Sequence, residues 1–121
     1  MDNQLSVLFP LVEVDDFLVA VLVGQPTCEF GDAVTLVAGK QSVGRRYILG
    51  VDCLPANELD EEFLALFKFR TTDEFVEALS RTYGTAFGPT VLVTIYTLYD
   101  RPVEEYVDLA VEEPQEGEEE E

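Results

Sequence analysis

Glu58, Asp60, Glu61 and Glu62 place four carboxylates on one short segment, and Asp73, Glu74 and Glu77 follow after a brief gap. A third cluster, Glu104, Glu105 and Asp108, lies further along the chain. Carboxylates can move protons, hold hard cations, or present charge to a cationic partner. The chain has no histidine, so the commonest general base is missing, and with it the serine and cysteine triads. Paired carboxylates cleave glycosides, but a domain of this size leaves little room for a sugar cleft. No stretch matches the EF-hand calcium loop with its obligatory glycine, and Asp15-Asp16 or Glu104-Glu105 would hold ions only loosely. There is no Walker loop or dinucleotide fingerprint; Gly39 and Gly44 flank KQSV without the helix start that a phosphate cradle needs. Cys28 and Cys53 lack any CxxC or CxH context. Two small buried thiols are expected, with a disulfide as the alternative. Arg45 and Arg46 stand too far along an extended strand to activate Cys53 as a nucleophile. The expectation is therefore no enzyme, no metal and no cofactor, which leaves charge as the working property.

That charge is large. Seven basic residues face 25 acidic ones, so the formal net charge is 7 − 25 = −18 over 121 residues. Duplex DNA carries one charge per about 1.7 Å of axis, so the same charge corresponds to roughly 30 Å of duplex. Such a surface repels nucleic acid and anionic membranes and attracts basic proteins. The expected partner is a basic nucleic-acid-binding enzyme or complex, with no direct nucleic-acid or membrane binding and with the oligomeric state open, a dimer included. In composition the chain resembles the small DNA mimics that phages encode against restriction, CRISPR or transcription machinery, and the acidic immunity proteins that plug nuclease toxins. The ten carboxylates named above are the candidate contacts. Tight binding also needs apolar anchors, for which Tyr96, Tyr99 and Tyr106 are the candidates. Two other readings compete: a small virion or tail-assembly component, in which the charge serves solubility, or a salt-adapted acidic domain. The presence of only two lysines fits the salt-adapted reading, whereas 47% apolar residues and eight phenylalanines oppose it.

The elements that must position these residues read as α+β. Leu5 to Val14 is apolar and interrupted by Pro10, which suggests an edge or a bulge. Asp15-Asp16 makes a turn into Phe17 to Val23. Val34 and Leu36 alternate with Ala33 and Thr35, and a loop holding Gly39 and Gly44 leads to a strand from Arg46 to Cys53. These form a four-strand antiparallel meander, curled and barrel-like. Asn57 is the expected cap of a first helix running to about Phe69, with Asp60 completing a loose capping box and Leu59, Phe63, Leu66 and Phe67 on its buried stripe. Thr71 and Glu74 start a second helix, which carries Phe75, Val76, Leu79 and Tyr83 inward and stops at Gly84. Lys68 and Arg81 are placed late in their helices, where they favour the dipole. GPTVLVTIYTLYD reads as a central strand, apolar on both faces, and Tyr106 to Val111 as the strand that closes a C-terminal hairpin, with a short helix as the alternative. Residues 1–111 make one domain and 112–121 a disordered acidic tail. MDNQLSVLFP has no secretory pattern, so the cytoplasm is the expected location.

One segment supports the barrel-like reading. GDAVTLVAGKQSVGRRYILGVD resembles the KOW-type segment of SH3-like barrels in ribosomal and transcription-elongation proteins, from Gly31-Asp32 through Gly39 and Gly44 to Val51-Asp52. The resemblance implies a curled sheet. The acidity of the whole chain opposes the nucleic-acid contacts that such modules make.

Overall fold

Proline has no N–H to give to a ladder, and Pro10 accordingly splits the first apolar run in two. The computed structural model describes residues 3–102. The run becomes strand β1 (Asn3–Val7) and the short β2 (Val12–Val14), followed by β3 (Phe17–Val23), β4 (Ala33–Ala38) and β5 (Gln41–Pro55). A 3-10 turn (Ala56–Glu58), helix α1 (Glu61–Leu66), helix α2 (Thr72–Tyr83) and strand β6 (Leu92–Tyr99) complete the order. The chain is thus a mixed α+β fold, one six-stranded sheet with two helices.

The strands are not arranged as a meander. Their order is β1-β4-β5-β6-β3-β2, with β1 parallel to β4 and every other pair antiparallel. The β2–β3 and β4–β5 hairpins join sequence neighbours directly, the first across Asp15-Asp16 as expected, while β5 and β6 pair across the two helices. β6 inserts between β3 and β5, so β3 does not pair with its successor β4, and β1 pairs with β4 and not with β2. The predicted closing strand of a C-terminal hairpin falls outside the described residues, as does the acidic tail.

β5 is long enough to serve two partners because it bends. Its first half pairs with β4 and its second with β6, and the register slips once in each half, passing over Val43 and then Leu49. An extra residue on one strand sharpens its twist and bends it. The first slip sits beside Gly44, whose φ of 120° is open to glycine and strained for other residues. The expected loop holding Gly39 and Gly44 is therefore a tight turn followed directly by strand, and Gly44 lies inside the ladder. The bends roll the sheet until β1, at one edge, touches β3 near the other.

Both faces of β6 are buried, as alternation predicts. Tyr96 and Leu98 face the inside of the roll with Leu5, Val7, Ala20, Val34, Leu36 and Ile48. The small Ala20 pairs directly with Tyr96 and leaves room for its ring. Val93 and Ile95 face the other way, with Val19 and Val21, toward the helices. The Tyr96 hydroxyl accepts from the Thr27 and Cys28 N–H groups at 2.9 and 3.2 Å, so the core holds the β3–β4 loop. Where β3 passes into that loop, the Tyr83 hydroxyl accepts from the Val23 N–H at 3.3 Å, and Thr94 Oγ1 donates to the Gly24 carbonyl at 2.7 Å.

The helices follow their caps. α1 starts at Asp60, not Asn57, because the Asp60 carboxylate accepts from the Phe63 N–H at 2.8 Å while Asn57 lies in the 3-10 turn. α2 starts at Thr71 as expected: Thr71 Oγ1 accepts from the Glu74 N–H, and Glu74 reaches back to the Arg70 N–H at 2.8 Å. Gly84, left-handed at φ 67°, ends it. Leu64 replaces Leu66 on the buried stripe of α1; Leu66 is exposed. Lys68 lies beyond the helix, left-handed at φ 68°. There its N–H donates to Ala65 and that of Phe69 to Leu64, the Schellman pattern usually built on glycine. No helix among the described residues is long and apolar enough to cross a membrane.

Two stability changes follow from these contacts. Lys68→Gly should stabilise the fold by about 0.5–1 kcal/mol by removing left-handed strain, seen as a higher urea midpoint at unchanged slope. A lower midpoint would contradict that account of the turn. Tyr96→Phe should cost about 1–3 kcal/mol, because it strips the acceptor from two N–H groups, that of Cys28 buried. An unchanged midpoint would show that the hydroxyl does not hold the loop.

Candidate functional site

The end of β5 turns sharply at Pro55, and the turn brings two acidic segments together. The Ala56 N–H donates to the Val91 carbonyl at 2.8 Å and the Asn57 N–H to Pro89 at 2.9 Å, which fixes the 3-10 turn against the chain leading into β6. Asp52 pairs with Ile95, and Leu54 with Val93, so Asp52 and Leu54 share the helix-side face of the sheet with Ile95. A cleft of about 250 Å³ forms between these strands, the turn and α1. Leu54, Leu59, Phe63 and Ile95 line it with apolar surface, and Asp52, Glu58 and Asp60 contribute three carboxylates. Cys53 belongs to the same wall.

The side chains at this cleft are not equivalent. Leu59 and Ile95 are buried, Phe63 and Leu54 are half-buried, and Asp52, Cys53, Glu58 and Asp60 are exposed. One Asp60 oxygen is engaged as the α1 cap. Glu58 makes no ion pair or hydrogen bond among the described residues, and the same holds for Glu61 and Glu62 on the exposed side of α1. On α2, Asp73 is exposed, Glu74 serves as a cap partner, and Glu77 meets Arg81 at 3.3 Å with both side chains in solvent. An exposed pair of that kind contributes little. Arg81 does sit in the last turn of α2, as its spacing suggests.

The structure therefore divides the predicted contact residues. Glu58 and Asp60 meet at the cleft, Glu61 and Glu62 continue outward from it, and Asp73, Glu74 and Glu77 lie on α2, against which the 3-10 turn packs. Glu58 and Glu62 do not share one helix, so helical rise does not set their spacing. Glu104, Glu105, Asp108 and Tyr106 lie outside the described residues. Tyr96 and Tyr99 are not surface anchors: they are 1% and 3% exposed, and their rings serve the core, that of Tyr99 against Phe17 at 5.4 Å. The two thiols are both free, Cys28 buried and Cys53 exposed, so the expectation of two buried cysteines holds only for Cys28. Asp52 is the cleft residue that spacing alone does not reveal, since the turn at Pro55 has to fold it back beside Glu58.

Elsewhere, a pocket of about 310 Å³ near the β2–β3 turn mixes Glu13, Asp16 and Asp100 with Arg46 over an apolar floor. Among the described residues, no group of three or more cysteine and carboxylate side chains is arranged to hold a metal ion.

No family model and no curated protein matches the chain. Among solved structures, protein EF3133 from Enterococcus faecalis V583, of the family DUF984, is similar with a TM-score of 0.52 and 17% identity. The match covers 74% of this chain and 64% of that one. This chain thus spans less than two thirds of its structural neighbour, and at such identity the likeness is one of fold alone.

Proposed function

We propose that the protein is a non-enzymatic acidic binding protein that engages a basic, nucleic-acid-binding protein in the cytoplasm and blocks it by presenting carboxylates where phosphates would sit. The observation that carries this reading is the trio Glu58, Glu61 and Glu62: exposed, close in sequence, and without a cation among the described residues. Residues 58–81 hold seven acids against Lys68, Arg70 and Arg81, so this stretch carries 3 − 7 = −4. The described residues together carry 7 − 14 = −7, and more than half of that net charge belongs to the helical segment. A one-sided field of this kind speeds association with a cationic surface and makes it salt-sensitive. Glu61 and Glu62 lie in the first turn of α1, where the helix dipole favours acids, but without a countercharge their repulsion of each other and of Glu58 opposes folding.

The test is capture of partners on the immobilised protein, eluted by rising salt and, separately, by competing duplex DNA. A basic nucleic-acid-binding protein released by both eluents supports phosphate mimicry; a partner that ignores DNA removes it. The variant Glu58→Lys, Glu61→Lys, Glu62→Lys should retain the fold, within about 1–2 kcal/mol. Its affinity for that partner should fall at least about 100-fold through charge reversal. Unchanged affinity would place the binding face elsewhere.

A further inference from the structure

The cleft at the end of β5 has a shape as well as a charge, and together they narrow what it can hold. Its volume of about 250 Å³ is below the roughly 300–1,000 Å³ of small-molecule sites. That suits one side chain better than a cofactor. An anion would meet the carboxylates of Asp52, Glu58 and Asp60. A purely apolar group would cover those carboxylates without pairing them, which is unfavourable. A cation on an aliphatic stem satisfies both features, with the stem against Leu54, Leu59 and Ile95 and the head at the rim.

Between the two cationic side chains, the residues favour arginine. The three carboxylates come from three different segments: β5, the 3-10 turn and the α1 cap. A guanidinium has five donors in a planar fork and can serve several acceptors at once, whereas an ammonium acts as a compact point charge. Phe63 adds an aromatic ring to the wall, against which a guanidinium packs well. Glu61 and Glu62 do not line the cleft; they contribute field at longer range.

We propose that this cleft is an anchor pocket for a single arginine side chain of the basic partner. The proposal rests on the acidic-face reading above and supplies the partly apolar anchor that the buried Tyr96 and Tyr99 do not.

The experiment is an NMR titration of the full chain with blocked arginine (N-acetyl-arginine amide), blocked lysine, and blocked citrulline, which keeps the shape of arginine without its charge. Blocked arginine should bind saturably with a Kd of about 1–10 mM, as befits one residue, shifting Leu54, Leu59, Phe63 and Ile95. Citrulline should bind at least about tenfold more weakly for want of charge-assisted hydrogen bonds, and lysine more weakly than arginine. Glu58→Gln and Asp52→Asn, both at exposed positions, should each weaken arginine about tenfold, while Glu61→Gln changes it less than about twofold. Three results would each overturn the pocket: citrulline or lysine equal to arginine, shifts that never saturate, or Glu61→Gln as damaging as Glu58→Gln. The acidic face would survive that failure, because the reversal at Glu58, Glu61 and Glu62 reads it through the partner. A reversal without effect on capture would remove the face itself, whatever the cleft binds.

Discussion

Five phenylalanine rings hold the helical layer onto the sheet, and the surface chemistry depends on that seating. Phe9, in the link between β1 and β2, lies 5.7 Å from Phe67, 6.2 Å from Phe69 and 5.5 Å from Phe75. Phe63 closes the group against Phe67 and Phe75. Removing one such ring from a core costs about 3–5 kcal/mol, against a total stability of about 5–15 kcal/mol for a domain. Because these rings point inward, the polar positions of two short helices point outward. α1 alone, at six residues, is far too short to persist in water. Its acidic side exists only because its aromatic side is docked.

The same comparison explains how so many like charges are tolerated. A repelling pair one turn apart on a helix surface costs about 0.2–0.5 kcal/mol. Several such pairs remain smaller than the contribution of the aromatic cluster, so the fold can carry an unneutralised surface without loss of its architecture. Two of the carboxylates also work locally, Asp60 and Glu74 as caps. The charge pattern is thus partly structural: Glu61 and Glu62 in the first turn of α1 and Asp73 in that of α2 also favour the helix dipole, although they and Glu58 make no hydrogen bond or ion pair among the described residues.

How much of this could be read from the chain depended on range. The α2 boundaries were legible because Thr71, Glu74 and Gly84 act on their own neighbours. The two-faced burial of β6 was legible because alternation along one strand is a local signal. The sheet order was not, because period 2 marks a strand and says nothing of its partner. The parallel pairing of Asn3–Val7 with Ala33–Ala38 has no counterpart in any short window. The start of the first helix is ambiguous in the chain because Asn57 and Asp60 are both good caps, and hydrogen bonds to Pro89 and Val91 hold Asn57 in the 3-10 turn and leave the cap to Asp60. Tyrosine as a residue type suits surface anchors, but strand position puts both Tyr96 and Tyr99 inside. The cleft needed Asp52 and Glu58 to be brought together by the Pro55 turn, which spacing could not show.

The place of β6 has a consequence for the order in which the molecule can be made. It comes after every other described strand in the sequence, yet it sits between the β1-β4-β5 group and the β3-β2 hairpin. During vectorial synthesis those two half-sheets emerge with no ladder between them, each exposing an unpaired edge. Joining them waits for Leu92–Tyr99, and the pairing of Phe17 with Tyr99 closes most of the chain at once. Such distant pairings fold slowly, and intermediates with open edges are prone to aggregate. The surplus of negative charge on the emerging chain keeps neighbouring copies apart during that interval.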